Sequence, residues 1–208
     1  MSLKELYEEI NEHLLKDNKP SLYMKQVFYR PEFHEYPFNM LADMREVEQS
    51  HIYHPEGNVW NHTMMVIDEA ASIRDKSKEP CVFMWGALLH DIGKPKTTKT
   101  KNKKIVSYDH DKVGEKLAVE FLNQFTDDEA FINKVSKLVR YHMHILFVVN
   151  DLPFANTMDM IRECDTDEVA LLGYSDRMGR KGVDINKEKS NIEMFVKKIE
   201  EFKGKNIK

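Results

Sequence analysis

The sequence predicts an all-α fold: one domain with a helical extension at its N-terminal end. Apolar residues recur three and four apart through most segments, as in helices that bury one face. Only one short stretch carries the β-branched pattern of a hairpin, and no tract repeats or is of low complexity. The turns between periodic segments are short, so none divides the chain after residue 50.

Leu3, Leu6, Tyr7, Ile10 and Leu14 share a face and predict a helix over 3–15. Asp17 to Pro20 break it. Residues 21–50 mix aromatics, prolines and charges, with a short helix expected over 37–46. Residues 1–50 are thus expected to cap a domain formed by 51–208. Pro55 and Gly57 mark a loop, and a helix over 58–74 follows with His62, Met65, Val66, Ala70 and Ile73 inward.

The stretch Cys81–Lys94 organises the chain. Val82, Phe83, Trp85, Ala87, Leu88 and Leu89 make an apolar helix of about three turns, opened by Pro80 and stopped by Gly93 and Pro95. Trp85 reads as core, whereas Trp60 either packs or lines a pocket. Residues around Lys101 and Asn102 suggest the hairpin. Val113, Leu117, Phe121 and Phe125 predict a helix over 109–125. Thr126–Glu129 and Asp165–Glu168 fit capping boxes that open two further helices. The first turns Phe131, Val135, Leu138, Val139 and His142 to one face; the second does so with Val169, Leu172 and Asp176. A short helix over 156–162 and a last one over 187–202 bring the total to about seven.

The net charge of −4 carries no basic bias of the kind nucleic-acid binders show. Cys81 and Cys164 lack metal-type spacing and read as free thiols of a reducing compartment. The longest apolar run is roughly nine residues, too short to span a membrane, and the acidic N-terminus is no secretory signal. A cytoplasmic protein with no membrane partner is expected.

Chemistry concentrates in polar residues on buried helix faces: His62, His90, Asp91, His110, His142 and Asp176. His90 and Asp91 end the central helix, where the helix dipole favours a cation. An inward carboxylate in mid-helix, Asp176, also needs one. Each residue has an ordinary reading. A lone histidine on an apolar face is usually a hydrogen-bonded core residue, Asp176 can pair with Arg180 or Arg177, and His110 can simply begin its helix. Jointly, four or more helices each offer a ligand to one centre, as bundle metal sites do. Imidazole with carboxylate suits Mn, Fe, Co, Ni or Zn, with Mg also compatible.

The chain resembles the HD-domain metal-dependent phosphohydrolases, whose motif is a histidine, a His-Asp pair and a distant aspartate on separate helices. His62, His90–Asp91 and Asp176 match it. His54–Thr63, Ala87–Thr98, Asp109–Gly114, Leu138–His142 and Leu171–Arg180 resemble the HD domain attached to bacterial tRNA nucleotidyltransferases, over about residues 35–182. The 208 residues hold no Gly-Ser followed by paired aspartates, so a standalone domain is expected and the CCA-adding reaction is not carried over. The resemblance implies an HD-type bundle and one or two divalent ions, with His110 and His142 in the second position and Asp91 bridging. His144, two residues beyond His142, would point to nearly the opposite side of a continuous helix and miss the site.

The expected reaction is hydrolysis of a phosphomonoester or phosphodiester, with a nucleotide, cyclic phosphate or RNA end as substrate. Asp91 would orient the nucleophile. Lys94 would clamp the phosphate, or serve only as a cation at a helix end, and Arg180 would assist. Six lysines between Lys94 and Lys104 form either a solvated hairpin or a lip for an anionic substrate. Two other classes fit the same residues: a non-catalytic nucleotide- or RNA-binding regulatory module, and a di-iron oxygenase on the same fold.

Overall fold

The structure, a computed structural model, describes residues 1–206. Its regular structure is helical, apart from one two-stranded hairpin among the described residues. α1 (Leu3–Lys16) is opened by a capping box between Ser2 and Glu5 and buries Leu6, Ile10 and Leu14. α2 (Pro20–Val27) was not anticipated. Proline at its first position starts it, and two bonds from Ser21 to Asp68 (3.0 and 2.7 Å) tie it to the next long helix. Its two turns are too short to display a period. The helix expected over 37–46 is a single turn, α3 (Asn39–Ala42), continued as a 3-10 turn.

α4 (Val59–Ile73), capped by Asn58, and α5 (Pro80–Leu89) form the centre. Every residue of α5 from Val82 onward is buried. Such a helix needs neighbours on all sides, and α5 packs on α1 and α4 and on α8 (Glu129–Tyr141) and α11 (Thr166–Met178). α1 holds α5 through Trp85, which donates its indole N–H to Asn11 (2.9 Å) and stacks on Tyr7. Trp60 is also core, packed on Phe28 and Phe33.

After α5 the chain turns through His90–Gly93 into the single turn α6 (Lys94–Thr97) and the hairpin β1 (Lys99–Lys101) with β2 (Lys104–Val106). Its two-residue turn is Asn102–Lys103, both with positive φ, one residue beyond the expected position. α7 (His110–Leu122) packs against α8. α8 is capped by Asp128 rather than Thr126. α11 is capped by Asp165, but the Glu168 side chain crosses to Ser77 and Lys78 and satisfies donors beside the start of α5. Neither segment is therefore a closed capping box. α9 (His144–Val149), α10 (Thr157–Glu163) and α12 (Ile185–Asn206) complete the bundle. Both cysteines are free thiols, and no helix among the described residues is long and apolar enough to cross a membrane.

One contact fixes the turn after α5 against α7. A methyl group at Gly93 would collide with the backbone of His110 and come within 2.7 Å of the Gly114 nitrogen. Backbone cannot step aside as a side chain can. Gly93→Ala is expected to cost about 3 kcal/mol, the upper end for overpacking, and to displace His110. Urea denaturation, with metal-free protein, measures that cost.

Candidate metal centre

Six side chains from five parts of the bundle meet in its interior. His62 comes from the first turn of α4, His90 and Asp91 from the end of α5, and His110 from the start of α7. His142 follows α8, and Asp176 lies in the last turn of α11. All six are buried. The sequence expected these residues together, and the fold brings them together.

Their local geometry is repetitive. His90 donates Nδ1–H to the Ala87 carbonyl (2.8 Å), His110 to Ser107 (2.7 Å) and His142 to Val139 (2.6 Å). In each case the acceptor is three residues earlier, where a helix turn leaves or begins. A carbonyl only accepts, so the proton must be on Nδ1. Each neutral ring then presents an Nε2 lone pair to the interior. The consequence is an unmet demand for positive charge. His110 Nε2 and His142 Nε2 face each other at 3.2 Å with no proton between two neutral rings, and His90 Nε2 is buried without a hydrogen-bond partner. Burial, with like-charged neighbours, pushes His142 down to about 3, and burial lowers His110 as well, so neither ring readily takes a proton. A cation satisfies these lone pairs. The donor set of imidazole and carboxylate fits a divalent metal ion.

Asp91 stands between two pairs of imidazoles. Its Oδ2 lies 3.2 Å from His90 Nε2, and its Oδ1 lies 3.5 Å from His110 Nε2 and 3.8 Å from His142 Nε2. His62, His90 and Asp91 form one group with metal-ligand spacing, and Asp91, His110 and His142 form another. Asp176 joins the first through His62 Nε2 at 2.9 Å. Burial alone would raise the Asp91 carboxyl, but Lys94 Nζ at 2.7 Å holds it well below the usual range. Burial likewise opposes ionisation of Asp176, and Arg180, followed by His62, overcomes it. Asp176 thus has the arginine partner that its spacing suggested, with both oxygens 3.0 Å from Arg180 Nη2, and faces His62 as well. Arg177 pairs elsewhere, with Glu188.

A cavity of about 410 Å³ opens onto this cluster. Asp91, His110, His142 and Asp176 form its floor, with Lys94 and Arg180 among its walls. His144 lies outside the cluster, as its position relative to His142 suggested, although the helix breaks between the two at Met143.

Gln49 escapes the sequence reading, and Glu56 enters it only as part of the His54–Gly57 loop that resembles the one before the first histidine of related domains. Gln49 accepts a hydrogen bond from Lys94 Nζ (2.7 Å), and it belongs to the segment expected to be a cap. Nothing in its neighbours marks it. Glu56 is buried beside His62. Its Oε1 accepts from His54 Nδ1 (2.9 Å) and lies 3.0 Å from His62 Nδ1, off the line of that ring N–H. An acid in a Pro-Glu-Gly turn six residues before an inward histidine was the available signal.

A bundle with a buried His/Asp centre of this order defines a class, and the comparison with known families agrees. Residues 59–149 match the HD domain model, so the chain carries an HD domain. That span holds five of the six residues and stops short of Asp176. Similar proteins include the multifunctional CCA protein of Actinobacillus pleuropneumoniae serotype 5b, 30% identical over 160 residues, covering 67% of this chain and 36% of that protein. The multifunctional CCA protein of Pseudomonas fluorescens is 27% identical over 146 residues, covering 66% and 34%. That of Pasteurella multocida is 27% identical over 154 residues, covering 70% and 36%. The chain therefore spans about a third of the length of these relatives.

His144 gives a test of the interior that involves no metal. It is fully buried among Tyr141 and Phe147, and neither ring nitrogen has a partner among the described residues. Burial, aided by Arg140, pushes it down to about 4. The unfolded chain binds this proton below about 6.5 and the folded one does not. Its contribution to stability is therefore full at neutral pH and lost as pH falls from 6.5 to 4. His144→Phe is expected to raise stability by about 1 kcal/mol at pH 7 and to shallow that acid limb. Urea melts of metal-free protein across pH 4–7 measure both effects.

Proposed function

We propose that the chain is a metal-dependent phosphohydrolase that cleaves a phosphomonoester or phosphodiester of a nucleotide, a cyclic phosphate or an RNA end. One observation carries the reading: paired Nε2 lone pairs and a shared carboxylate, buried yet open to a cavity walled by Lys94 and Arg180. His62, His90, Asp91 and Asp176 would hold one divalent ion, and Asp91, His110 and His142 a second. Bound there, such an ion acidifies water and polarises a phosphoryl oxygen.

The chain's own residues do the remainder. Asp91, fixed as a carboxylate by Lys94, accepts a hydrogen bond from the attacking group and so orients it. Lys94 Nζ, held between Asp91 and Gln49, is placed as an electrostatic clamp at the cavity wall. Arg180, locked onto Asp176, presents the remainder of its guanidinium to the same space. The HD domain match supports hydrolase chemistry, and the CCA-protein relatives support a nucleotide or RNA substrate.

The lysine hairpin extends this reading to the partner. Lys99, Lys101, Lys103 and Lys104 are exposed and, among the described residues, form no ion pair, while Ile105 and Ser107 of the same hairpin line the cavity. Phosphates of a strand whose end enters the cavity would lie along these charges. Changing Lys101, Lys103 and Lys104 to Gln is expected to weaken binding of an RNA oligonucleotide and to flatten its salt slope by about 2. Fluorescence anisotropy at several salt concentrations reads this, and an unchanged slope removes the hairpin from the substrate path.

For the reaction itself, freshly purified protein is expected to contain a transition metal and, with Mn or Ni, to hydrolyse generic phosphoesters. Asp91→Ala should lose metal and turnover together. Lys94→Met should keep metal and lose about 100-fold in kcat/KM. Wild-type rates in Asp91→Ala would end the proposal. Nucleotide binding without turnover would favour the regulatory module, and oxygen consumption by iron-loaded protein the oxygenase.

A further inference from the structure

Glu56 is not among the histidine, His-Asp pair and aspartate of the HD motif, yet its carboxylate is placed as a part of the centre. It is buried, although it sits in the loop before α4 rather than in a helix core. The loop is itself braced. Asn58 caps α4, Asn61 Nδ2 donates to the Glu56 carbonyl (3.2 Å), and Gly57 takes a positive φ of 102° that lets the chain turn. Oε1 then accepts from His54 Nδ1 at 2.9 Å and lies 3.0 Å from His62 Nδ1, close enough to attract that ring's proton although off the line of its N–H. Oε2 accepts from the backbone N–H of Lys181 at 3.3 Å, next to Arg180 and beyond the helix that carries Asp176.

His90, His110 and His142 each have a carbonyl behind Nδ1. His62 sits in a first helical turn, and Glu56 occupies the corresponding position behind its ring. A carboxylate there does more than a carbonyl, because it raises the electron density on the far nitrogen as well as fixing the proton. We propose that Glu56 is the positioning residue of His62: it holds the proton on Nδ1, directs Nε2 to the ion, and ties the His54 loop to the Asp176–Arg180 end of the site. This rests on the reading of His62 as a metal ligand. Through Oε1 the same carboxylate holds His54, whose ring contributes to the cavity wall, so the loop and the ligand are set by one group.

The test uses the full chain, stripped of metal and reloaded with Zn(II), with affinity measured by competition against a chromophoric chelator. Glu56→Gln keeps the shape, and its affinity is expected to fall about 10–100-fold, while Glu56→Asp recovers part of the loss. Nitrogen-15 spectra of the Zn(II)-loaded wild type are expected to show His62 protonated at Nδ1 with Nε2 on the metal. Full affinity in Glu56→Gln, alongside a loss in His62→Ala, overturns the proposal alone. Full affinity in His62→Ala overturns the underlying reading of the centre. If Glu56→Gln does not fold, the wild-type spectrum decides, because an unprotonated His62 Nδ1 in the Zn(II) form excludes the role. A fall in melting temperature without change in affinity marks a merely structural carboxylate and overturns the proposal too.

Discussion

The structure depends on a surplus of electron pairs in its own interior. Three histidines spend their only neutral-state proton on backbone carbonyls and turn bare Nε2 atoms toward the ionised Asp91. Left alone, that arrangement is unfavourable, because lone pairs and carboxylates repel in a medium of low polarisability. Lys94 and Arg180 offset part of it, at 2.7 Å from Asp91 and 3.0 Å from Asp176. Breaking either pair would strand a buried charge, which costs far more than the pair contributes. The rest of the bundle can be understood as the scaffold that keeps this surplus from relaxing.

Relaxation is blocked by packing on the backbone itself. α5 has no solvent face, so His90 and Asp91 cannot rotate outward without unseating the core. Gly93 lets the turn after them lie directly on the His110 backbone, and Gly114 lets α7 approach Val139 just before His142. His110 and His142 are thereby held by close contacts that a single methyl group would disturb. Glu168 contributes at the other end, where its bonds to Ser77 and Lys78 secure the entry to α5 from α11.

What the sequence made legible follows from this design. A polar residue on an apolar helix face stands out against its period, and His62, His142 and Asp176 were found that way. His90–Asp91 stands out because a buried helix ends on it. α2 was hidden because two turns display too little period, and the cap assignments at Thr126 and Glu168 went wrong because local spacing says nothing about a distant donor. Gln49, and the part Glu56 plays within its recognisable loop, lay beyond reach for a related reason. Both residues lie on irregular backbone, and their partners are Lys94, 45 residues away, and a histidine reached only when the loop turns back. The boundary expected at residue 50 passes beside Gln49, and the pairing of Glu48 with Asn58 spans it.

The sign of the site's charge decides what it can bind. Glu56, Asp91 and Asp176 are three buried acids, against which stand the two fixed cations Lys94 and Arg180. His62 lies between two of those acids, and they raise its affinity for a proton in spite of complete burial. In the protein by itself, that proton supplies part of the missing positive charge, and an incoming divalent ion must displace it from Nε2, so metal affinity falls as pH drops. The cavity without an ion would repel a phosphate dianion, since its floor is carboxylate and lone pair. A divalent ion held there would reverse the sign and would leave Lys94 and Arg180 able to face an anion as well as their carboxylates. Under the proposed function, anion recognition would therefore be conditional on cation binding, and the cavity alone would hold phosphate poorly.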